Sequence, residues 1–310
     1  MRSGWNPHRA WMIVLIGGAV LVPVATTAAA TYRYQDRNGQ WVYTDRPPLQ
    51  QQAATVATTR SGSVGTPQMS VQARSIDGGV ALVAVNGCAC TVEFAVKAGT
   101  PAGERTGHAV VPAKSERILL ELEAADGPST IRFEYGYVVG EPGAQHRPSQ
   151  PYRAPFAPAR RFMVTQAPPD ALTHVGPSSR NAIDIEMPVG TAVHAARAGT
   201  VINVAARHFR SGLSTQNLHE ANFVQIMHDD GTYAIYAHLQ LDTVRVKIGQ
   251  QIARGEYIAN SGNTGFSSGP HLHFVVLRNV GMRSESVPIT LAGPGGAAVT
   301  PRSGQAVTAY

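Results

Sequence analysis

Alternating apolar and polar residues characterise the chain between residues 69 and 145. The runs "VALVAVNG", "TVEFAVKAG", "SERILLELEA" and "TIRFEYGYVVG" are separated by stretches rich in Gly, Pro and Asp. A period of two is typical of half-buried strands, and the separating residues favour turns. The pattern predicts a small antiparallel β-domain over 69–145, with a sandwich-like arrangement and no catalytic constellation.

Two Gly-punctuated segments with a common pattern follow in the region 150–285. Each of "GTAVHAARAGTVINV" (190–204) and "VKIGQQIARGEYIANSG" (246–262) predicts a hairpin of two short strands. Twin hairpins are typical of lipoyl-type and phosphocarrier-type β-sandwiches as well as of enzymes. No lysine stands at a hairpin tip, as a lipoyl carrier would require.

The stretch "SSGPHLHFVV" (267–276) places two histidines inside an apolar strand pattern. Side chains at i and i+2 of a strand point to the same face, roughly 6.5 to 7 Å apart. His271 and His273 therefore share one face, while Leu272 and Phe274 share the other. The pattern predicts a strand with core on one side and chemistry on the other.

The N-terminal residues have the composition of targeting and linker segments. Residues 1–30 run from two arginines through an apolar stretch to "TTAAA", which predicts a secretory signal peptide cleaved after Ala30. Residues 31–50 predict a β-hairpin around Asn38-Gly39 and resemble a short N-terminal module of unknown function, common in exported proteobacterial proteins. Residues 51–68 have linker composition.

Composition and charge restrict the class of protein. The chain is 43% hydrophobic and 15% charged, with 31 Gly and 21 Pro, which is typical of a globular, mostly β protein. Removal of the signal peptide lowers the net charge from +6 to +4 by taking away Arg2 and Arg9. Such mild basicity without a Lys/Arg run does not indicate nucleic-acid binding, but it suits an exported protein near an anionic envelope polymer.

The two cysteines lie together in "NGCACTV". Cys88 and Cys90 would face the same side of a strand in an oxidising compartment, where a bridge between residues i and i+2 is near the geometric limit. A strained bridge, a free pair and an intermolecular link all remain open.

Further polar residues interrupt apolar strands in the C-terminal region. Asp184 lies between Ile183 and Ile185 in "AIDIEMPVGT", where a buried carboxylate requires a partner. His238 lies at the end of the alternating strand in "TYAIYAHLQLDTVRV". The stretch "HEANF" begins like the helical metal motif His-Glu-x-x-His, but Phe223 occupies the position of the second histidine, so that motif is excluded.

Taken together, "AIDIEMPVGTAVHAARAGTV", "YAIYAHL", "VKIGQQIARGEYIANSGNTG" and "SSGPHLHFVV" resemble the lysostaphin-type zinc endopeptidases, or LytM domains. These enzymes cut peptide bonds of bacterial peptidoglycan. The resemblance covers about residues 150–280 and implies a Zn²⁺ ion bound by Asp184 and His273. It places His271 and His238 beside the bound water.

The first zinc ligand departs from the commoner family pattern. His-x-x-x-Asp would put this ligand at position 180, which is an arginine and cannot bind zinc. Because some members have a longer loop, the resemblance favours His174, ten residues before Asp184. His194 and His208 are the alternatives, and the loop around His208 is expected to form a wall of the substrate groove.

The expected protein is thus mostly β. Residues 150–285 form a LytM-type antiparallel β-sandwich with a catalytic groove, and 286–310 form a flexible tail. The expected activity is zinc-dependent hydrolysis of peptidoglycan peptide cross-links, with His238 and His271 sharing proton transfer and oxyanion stabilisation. The alternatives are a metal-free LytM-type activator of cell-wall amidases and a phosphocarrier, which the export signal contradicts. The expected location is periplasmic or secreted, without a membrane span after signal removal.

Overall fold

The computed structural model describes residues 10–15, 32–35, 41–44, 69–100, 103–123 and 130–310. Strand β1 is Ala10–Leu15, β2 is Tyr32–Gln35 and β3 is Trp41–Thr44. Strands β2 and β3 pair antiparallel, as the predicted hairpin requires. The predicted linker 51–68 lies outside the described residues. In the described part of the chain, no helix has the length and apolar character needed to span a membrane.

The middle region folds as two antiparallel sheets that share one hydrophobic core. Its strands are β4 (Met69–Ile76), β5 (Gly79–Asn86), β6 (Val92–Thr100), β7 (Gly103–Val111), β8 (Glu116–Glu123) and β9 (Thr130–Val139). One sheet has the order β4-β5-β8 and the other β1-β9-β6-β7. This arrangement agrees with the predicted small β-domain, which we call the middle domain.

The C-terminal region is built on a nine-stranded antiparallel sheet. The strands of this region are β10 (Arg161–Gln166), β11 (Ile183–Glu186), β12 (Ala192–His194), β13 (Gly199–Ala205), β14 (Phe223–Met227), β15 (Tyr233–Ala237), β16 (Gln251–Ile252), β17 (Tyr257–Asn260), β18 (His271–Asn279), β19 (Ser284–Ser286), β20 (Leu291–Ala292), β21 (Ala298–Val299) and β22 (Ala306–Thr308). The pairs β12-β17 and β20-β21 form two separate two-stranded sheets. The sheet order is β16-β13-β14-β15-β18-β11-β10-β22, with β19 beside β18. Short 3₁₀ helices span Thr215–His219 and Pro294–Gly296.

The two Gly-punctuated segments do not fold as separate hairpins. Strand β12 of the first segment pairs with β17 of the second, and β13 pairs with β16. The segments therefore pair with each other and not within themselves. This corrects the sequence-based prediction of twin hairpins.

Strand β18 lies at the centre of the sheet, between β15 and β11. Its Leu272, Phe274 and Val276 point into the core of the C-terminal region. On the other face, Val275 and Leu277 continue the row of His271 and His273 and are buried in the core shared with the middle domain. Both faces of this strand are thus apolar over most of its length, and the histidines occupy the uncovered end of one face.

The segment 286–310 was predicted to be a flexible tail, and that prediction is wrong. Strand β22 pairs with β10, and Val307 and Ala309 are buried in the C-terminal core. Ser303 also accepts a hydrogen bond at Oγ from the backbone amide of Ala167 at 2.9 Å. The small apolar residues of this segment cover the edge of the sheet next to β10.

Cys88 and Cys90 are joined by an intramolecular disulfide, with their Cα atoms 5.1 Å apart. Of the three arrangements left open by the sequence, the structure has the bridge. Both residues are buried in the shared core, and Cys88 Sγ lies 3.9 Å from the carbonyl oxygen of Ile202 in β13. The bridge is therefore part of the contact between the middle domain and the main sheet.

Candidate metal centre and active site

Cross-strand pairing between β11 and β18 brings a carboxylate and an imidazole together. Asp184 pairs directly with His273, and Glu186 pairs with His271. Paired residues of antiparallel strands point to the same face. His273 Nδ1 accordingly lies 2.9 Å from Asp184 Oδ1.

His174 approaches the same carboxylate from the loop that follows β10. Its Nε2 lies 3.2 Å from Asp184 Oδ2, and its ring centroid is 5.0 Å from that of His273. One ligand atom from each of His174, Asp184 and His273 falls within 4.8 Å of the others. Two imidazole nitrogens and one carboxylate oxygen are a donor set that suits Zn²⁺.

The electrostatics of Asp184 also fit a cation at this point. The residue is only 4% exposed. Burial alone would raise the pKa of Asp184, but hydrogen bonds from His174 and His273 outweigh it and hold the pKa well below its ordinary value. A buried carboxylate that stays ionised among imidazoles is stabilised by a positive charge, so the residues present fit a divalent metal ion.

His238 reaches the site through an irregular backbone conformation. Ala237 pairs with His273, so regular alternation would turn the next side chain towards the opposite, apolar face. His238 instead has a left-handed φ of 62°. Its ring centroid lies 4.6 Å from that of His271 and 5.8 Å from that of His273. The structure thus brings together all five predicted site residues.

The hydrogen bonds of His238 and His271 define which nitrogen of each neutral ring carries a proton. His238 Nδ1 lies 2.6 Å from the carbonyl oxygen of Thr264, and His271 Nδ1 lies 2.8 Å from that of Gly269. A carbonyl oxygen can only accept, so each Nδ1 donates and each Nε2 keeps a free lone pair. Burial, with smaller contributions from His271 and His273, lowers the pKa of His238 to about 4. The His238 ring is therefore neutral near pH 7.

The alternative first ligands have other partners. His194 Nδ1 lies 2.8 Å from the carbonyl oxygen of Gly255, and His208 Nδ1 lies 3.0 Å from Glu220 Oε2. Among the described residues, neither joins the cluster of possible metal ligands. Arg180, at the position of the commoner family ligand, reaches Glu285 at 3.4 Å.

The loop that contains His208 contacts the loop that holds His238. The backbone amide of Gly265 donates to the carbonyl oxygen of Arg210 at 2.7 Å, and that of Gly212 donates to the carbonyl oxygen of Gly265 at 3.2 Å. This position next to the histidines is compatible with the predicted groove wall, which stays a prediction.

One residue in contact with the site was missed by the sequence analysis. Gln166 Nε2 donates to Asp184 Oδ2 at 2.7 Å. Gln166 lies two residues after the core residue Val164, where regular strand alternation predicts an inward side chain. No periodic signal in the sequence would therefore have identified it.

Comparisons with known proteins agree with this geometry. The profile "Peptidase family M23" matches residues 178–285, and "Domain of unknown function (DUF4124)" matches residues 18–70. The peptidoglycan DD-endopeptidase ShyA of Vibrio cholerae is 32% identical over 142 residues, covering 45% of this chain and 28% of that protein. The peptidoglycan DD-endopeptidase ShyB of the same organism is 38% identical over 97 residues, which cover 31% of this chain and 20% of ShyB.

Among solved structures, the catalytic domain of a mutant of the prophage-encoded M23 protein EnpA from Enterococcus faecalis is 26% identical to this chain. The matched region covers 44% of this chain and 93% of the EnpA domain, with a TM-score of 0.33. The chain spans less than a third of the length of ShyA or ShyB. The matched residues 178–285 include Asp184, His238, His271 and His273 but begin after His174, so the placement of His174 depends on the geometry.

Proposed function

Because residues 178–285 are a domain of peptidase family M23, we propose that this chain is a zinc-dependent peptidoglycan endopeptidase. The observation that carries the proposal is the convergence of His174, Asp184 and His273, with His238 and His271 packed beside them. A domain that only activated another enzyme would not need this complete set of donor and proton-transfer groups. We assign the first three residues as metal ligands and the other two as catalytic residues.

The chemistry follows from the positions of these groups. A zinc ion in the cluster would polarise the scissile carbonyl and lower the pKa of a bound water towards about 7. With Nδ1 bonded to a carbonyl oxygen, the neutral form of either His238 or His271 has its lone pair at Nε2 and can accept a proton from the attacking water. Once protonated, the same ring can stabilise the developing oxyanion or donate to the leaving amine.

The substrate class is proposed from the relatives and the chain's own N-terminus. ShyA and ShyB are named peptidoglycan DD-endopeptidases. The predicted signal peptide would export this chain to the periplasm or the exterior, where peptidoglycan lies. We infer that it cuts the peptide, at the cross-link between D-alanine and a diamino acid, and leaves the glycan strand intact.

The test uses the mature protein purified without added chelator. We expect about one zinc per chain, solubilisation of purified peptidoglycan, loss of this activity on chelation and its return with added Zn²⁺. Mass spectrometry of the digest should show new peptide ends. Cleavage that persists after zinc is stripped would remove the metallopeptidase assignment, and new reducing sugar ends would contradict the proposed bond. A metal-free protein that stimulates an amidase would favour the activator.

A further inference from the structure

Both the nitrogen and the oxygen of the Gln166 side-chain amide form hydrogen bonds. Its Nε2 donates to Asp184 Oδ2 at 2.7 Å. Its Oε1 accepts from the backbone amides of Leu172 and Thr173, each at 3.0 Å, and from Thr173 Oγ1 at 3.1 Å. The residue that follows Thr173 is His174. One amide group thus connects the carboxylate to the loop that presents the first histidine.

A β-bulge turns Gln166 towards the site. Val164 pairs with Ile185 and both are buried in the core, whereas Gln166 pairs with Asp184. From the first pair to the second, β10 moves along by two residues while β11 moves along by only one. The extra residue in β10 shifts the alternation, so Gln166 lies on the face of Asp184 and not on the core face. Bulges near active sites commonly redirect a side chain in this way.

The C-terminal segment holds the bulge from its other side. The backbone amide of Gly304 donates to the carbonyl oxygen of Val164 at 2.9 Å. Ser303 Oγ accepts from the backbone amide of Ala167 at 2.9 Å. The residues on both sides of Gln166 are thus tied to the same segment, which restricts where its amide can point.

We propose that Gln166 is a positioning residue, which sets Asp184 and the loop of His174 in the arrangement that binds metal. The inference rests on the proposed metal function. His174 lies ten positions before Asp184, so ordering this loop costs more conformational entropy than the shorter spacing of the commoner pattern. Three hydrogen bonds to Oε1 order the loop next to His174, and the bond from Nε2 fixes the carboxylate.

Gln166→Met is the variant of choice because methionine has a similar length and no amide. In chelator competition we expect zinc affinity to fall by about 10- to 100-fold, the range for loss of a group that orients a metal ligand. In the metal-free protein, the amide protons of Leu172 and Thr173 should exchange at least about tenfold faster, because they lose their acceptor. This second readout requires neither zinc nor activity.

Gln250→Met is the matched control. Gln250 is also half-buried, accepts the backbone amide of Lys247 at Oε1 at 3.0 Å, and places Nε2 3.4 Å from Glu256 Oε1. The turn that Gln250 orders contributes no residue to the cluster of His174, Asp184 and His273. Zinc affinity and the exchange of Leu172 and Thr173 should be unchanged in this variant.

The outcomes separate this inference from the proposed function. If Gln166→Met binds zinc as tightly as the unaltered protein and its two amides exchange at the same rate, the inference is wrong while the metallopeptidase stands. If the unaltered protein binds no zinc, the proposed function and the metal role of Gln166 fall together, whatever the exchange rates. Equal losses of zinc affinity in Gln166→Met and Gln250→Met would overturn a specific role for Gln166.

Discussion

At the scale of the residue, two side chains reach the site because the backbone departs from regular strand geometry. Gln166 follows a bulge, and His238 has a φ of 62°. Regular alternation would direct both side chains towards the apolar core. Left-handed conformations are uncommon for residues other than Gly and cluster at functional sites. The irregular positions are thus part of the construction of the site.

The histidines should separate metal binding from turnover. His174→Ala should lose tight zinc binding and activity together, because two remaining protein ligands do not hold a catalytic zinc firmly. His238→Ala should keep zinc and lose about 10²- to 10⁴-fold in turnover, the usual contribution of a proton-transfer group. Zinc content and the initial rate of peptidoglycan hydrolysis measure the two effects.

His208→Ala is the control for this pair, because His208 is bonded to Glu220 and not to the cluster. Its zinc content should match that of the unaltered protein. If His174→Ala retained full zinc content and rate while His208→Ala or His194→Ala lost both, the assignment of the first ligand would be wrong.

At the scale of the element, a buried glutamate of β6 is hydrogen-bonded to the end of β18 and the turn that follows it. Glu93 Oε2 accepts from Asn279 Nδ2 at 2.8 Å and from the backbone amide of Met282 at 2.7 Å, while Oε1 lies 2.7 Å from His108 Nε2. Burial would raise the pKa of Glu93, but the hydrogen bonds from Met282, His108 and Asn279 lower it overall. The ionised carboxylate thus stabilises the contact between the middle domain and the strand that carries His271 and His273.

Removal of this carboxylate should destabilise the fold. Glu93→Ala leaves the Met282 amide without its acceptor, and we expect a loss of about 3 kcal/mol in the free energy of unfolding at pH 7. The folded-state pKa lies below the ordinary 4.5, so this contribution is complete above pH 4.5 and is lost as the pH falls below it. Urea unfolding at pH 7 and near pH 3 measures the difference.

Glu104→Ala is the matched control, because Glu104 pairs with Lys97 on the exposed surface of the same sheet. An exposed ion pair contributes roughly 0–1 kcal/mol, so this variant should unfold almost like the unaltered protein. A Glu93→Ala protein as stable as Glu104→Ala at pH 7 would show that the buried carboxylate does not hold the two regions together.

At the scale of the whole molecule, the middle domain and the C-terminal sheet share a hydrophobic core. Side chains of the main sheet and of the residue just before β11 are buried in it: Ala182, Ile202, Tyr233, Val275 and Leu277. Several of these residues lie on the face that carries the histidines. The middle domain therefore completes the structural unit around the site, and the predicted boundaries 150–285 leave out both this contact and strand β22.

Truncation should reveal this dependence. The fragment 65–310 should fold cooperatively and bind zinc like the mature protein. The fragment 150–285 exposes Val275 and Leu277 and lacks Leu291 and Val307, and each large buried side chain contributes about 1.5–3 kcal/mol. It should therefore aggregate or melt at a markedly lower temperature and bind zinc weakly. Thermal melts and zinc content of the two fragments test this, and a stable, zinc-binding 150–285 fragment would contradict it.

The sequence by itself determined the mostly β class, and it singled out His271, His273 and Asp184 as polar residues inside apolar strands. Period-two patterns and polar residues inside apolar strands are local, so they can be read without knowing which strands pair. His174 was reached through a resemblance in which its spacing departed from the commoner pattern. The local information predicted which residue types would lie at the candidate site, and the resemblance predicted their roles.

Only the tertiary structure decided the pairing between the two Gly-punctuated segments, the burial of 286–310, and the positions of Gln166 and His238. Each depends on contacts between residues distant in sequence or on a break in strand regularity. A bulge or a left-handed residue turns a side chain to the opposite face, which a periodic pattern cannot report. Small apolar residues such as Val307 and Ala309 give little signal on their own, because their burial depends on the partner strand and core that the fold supplies.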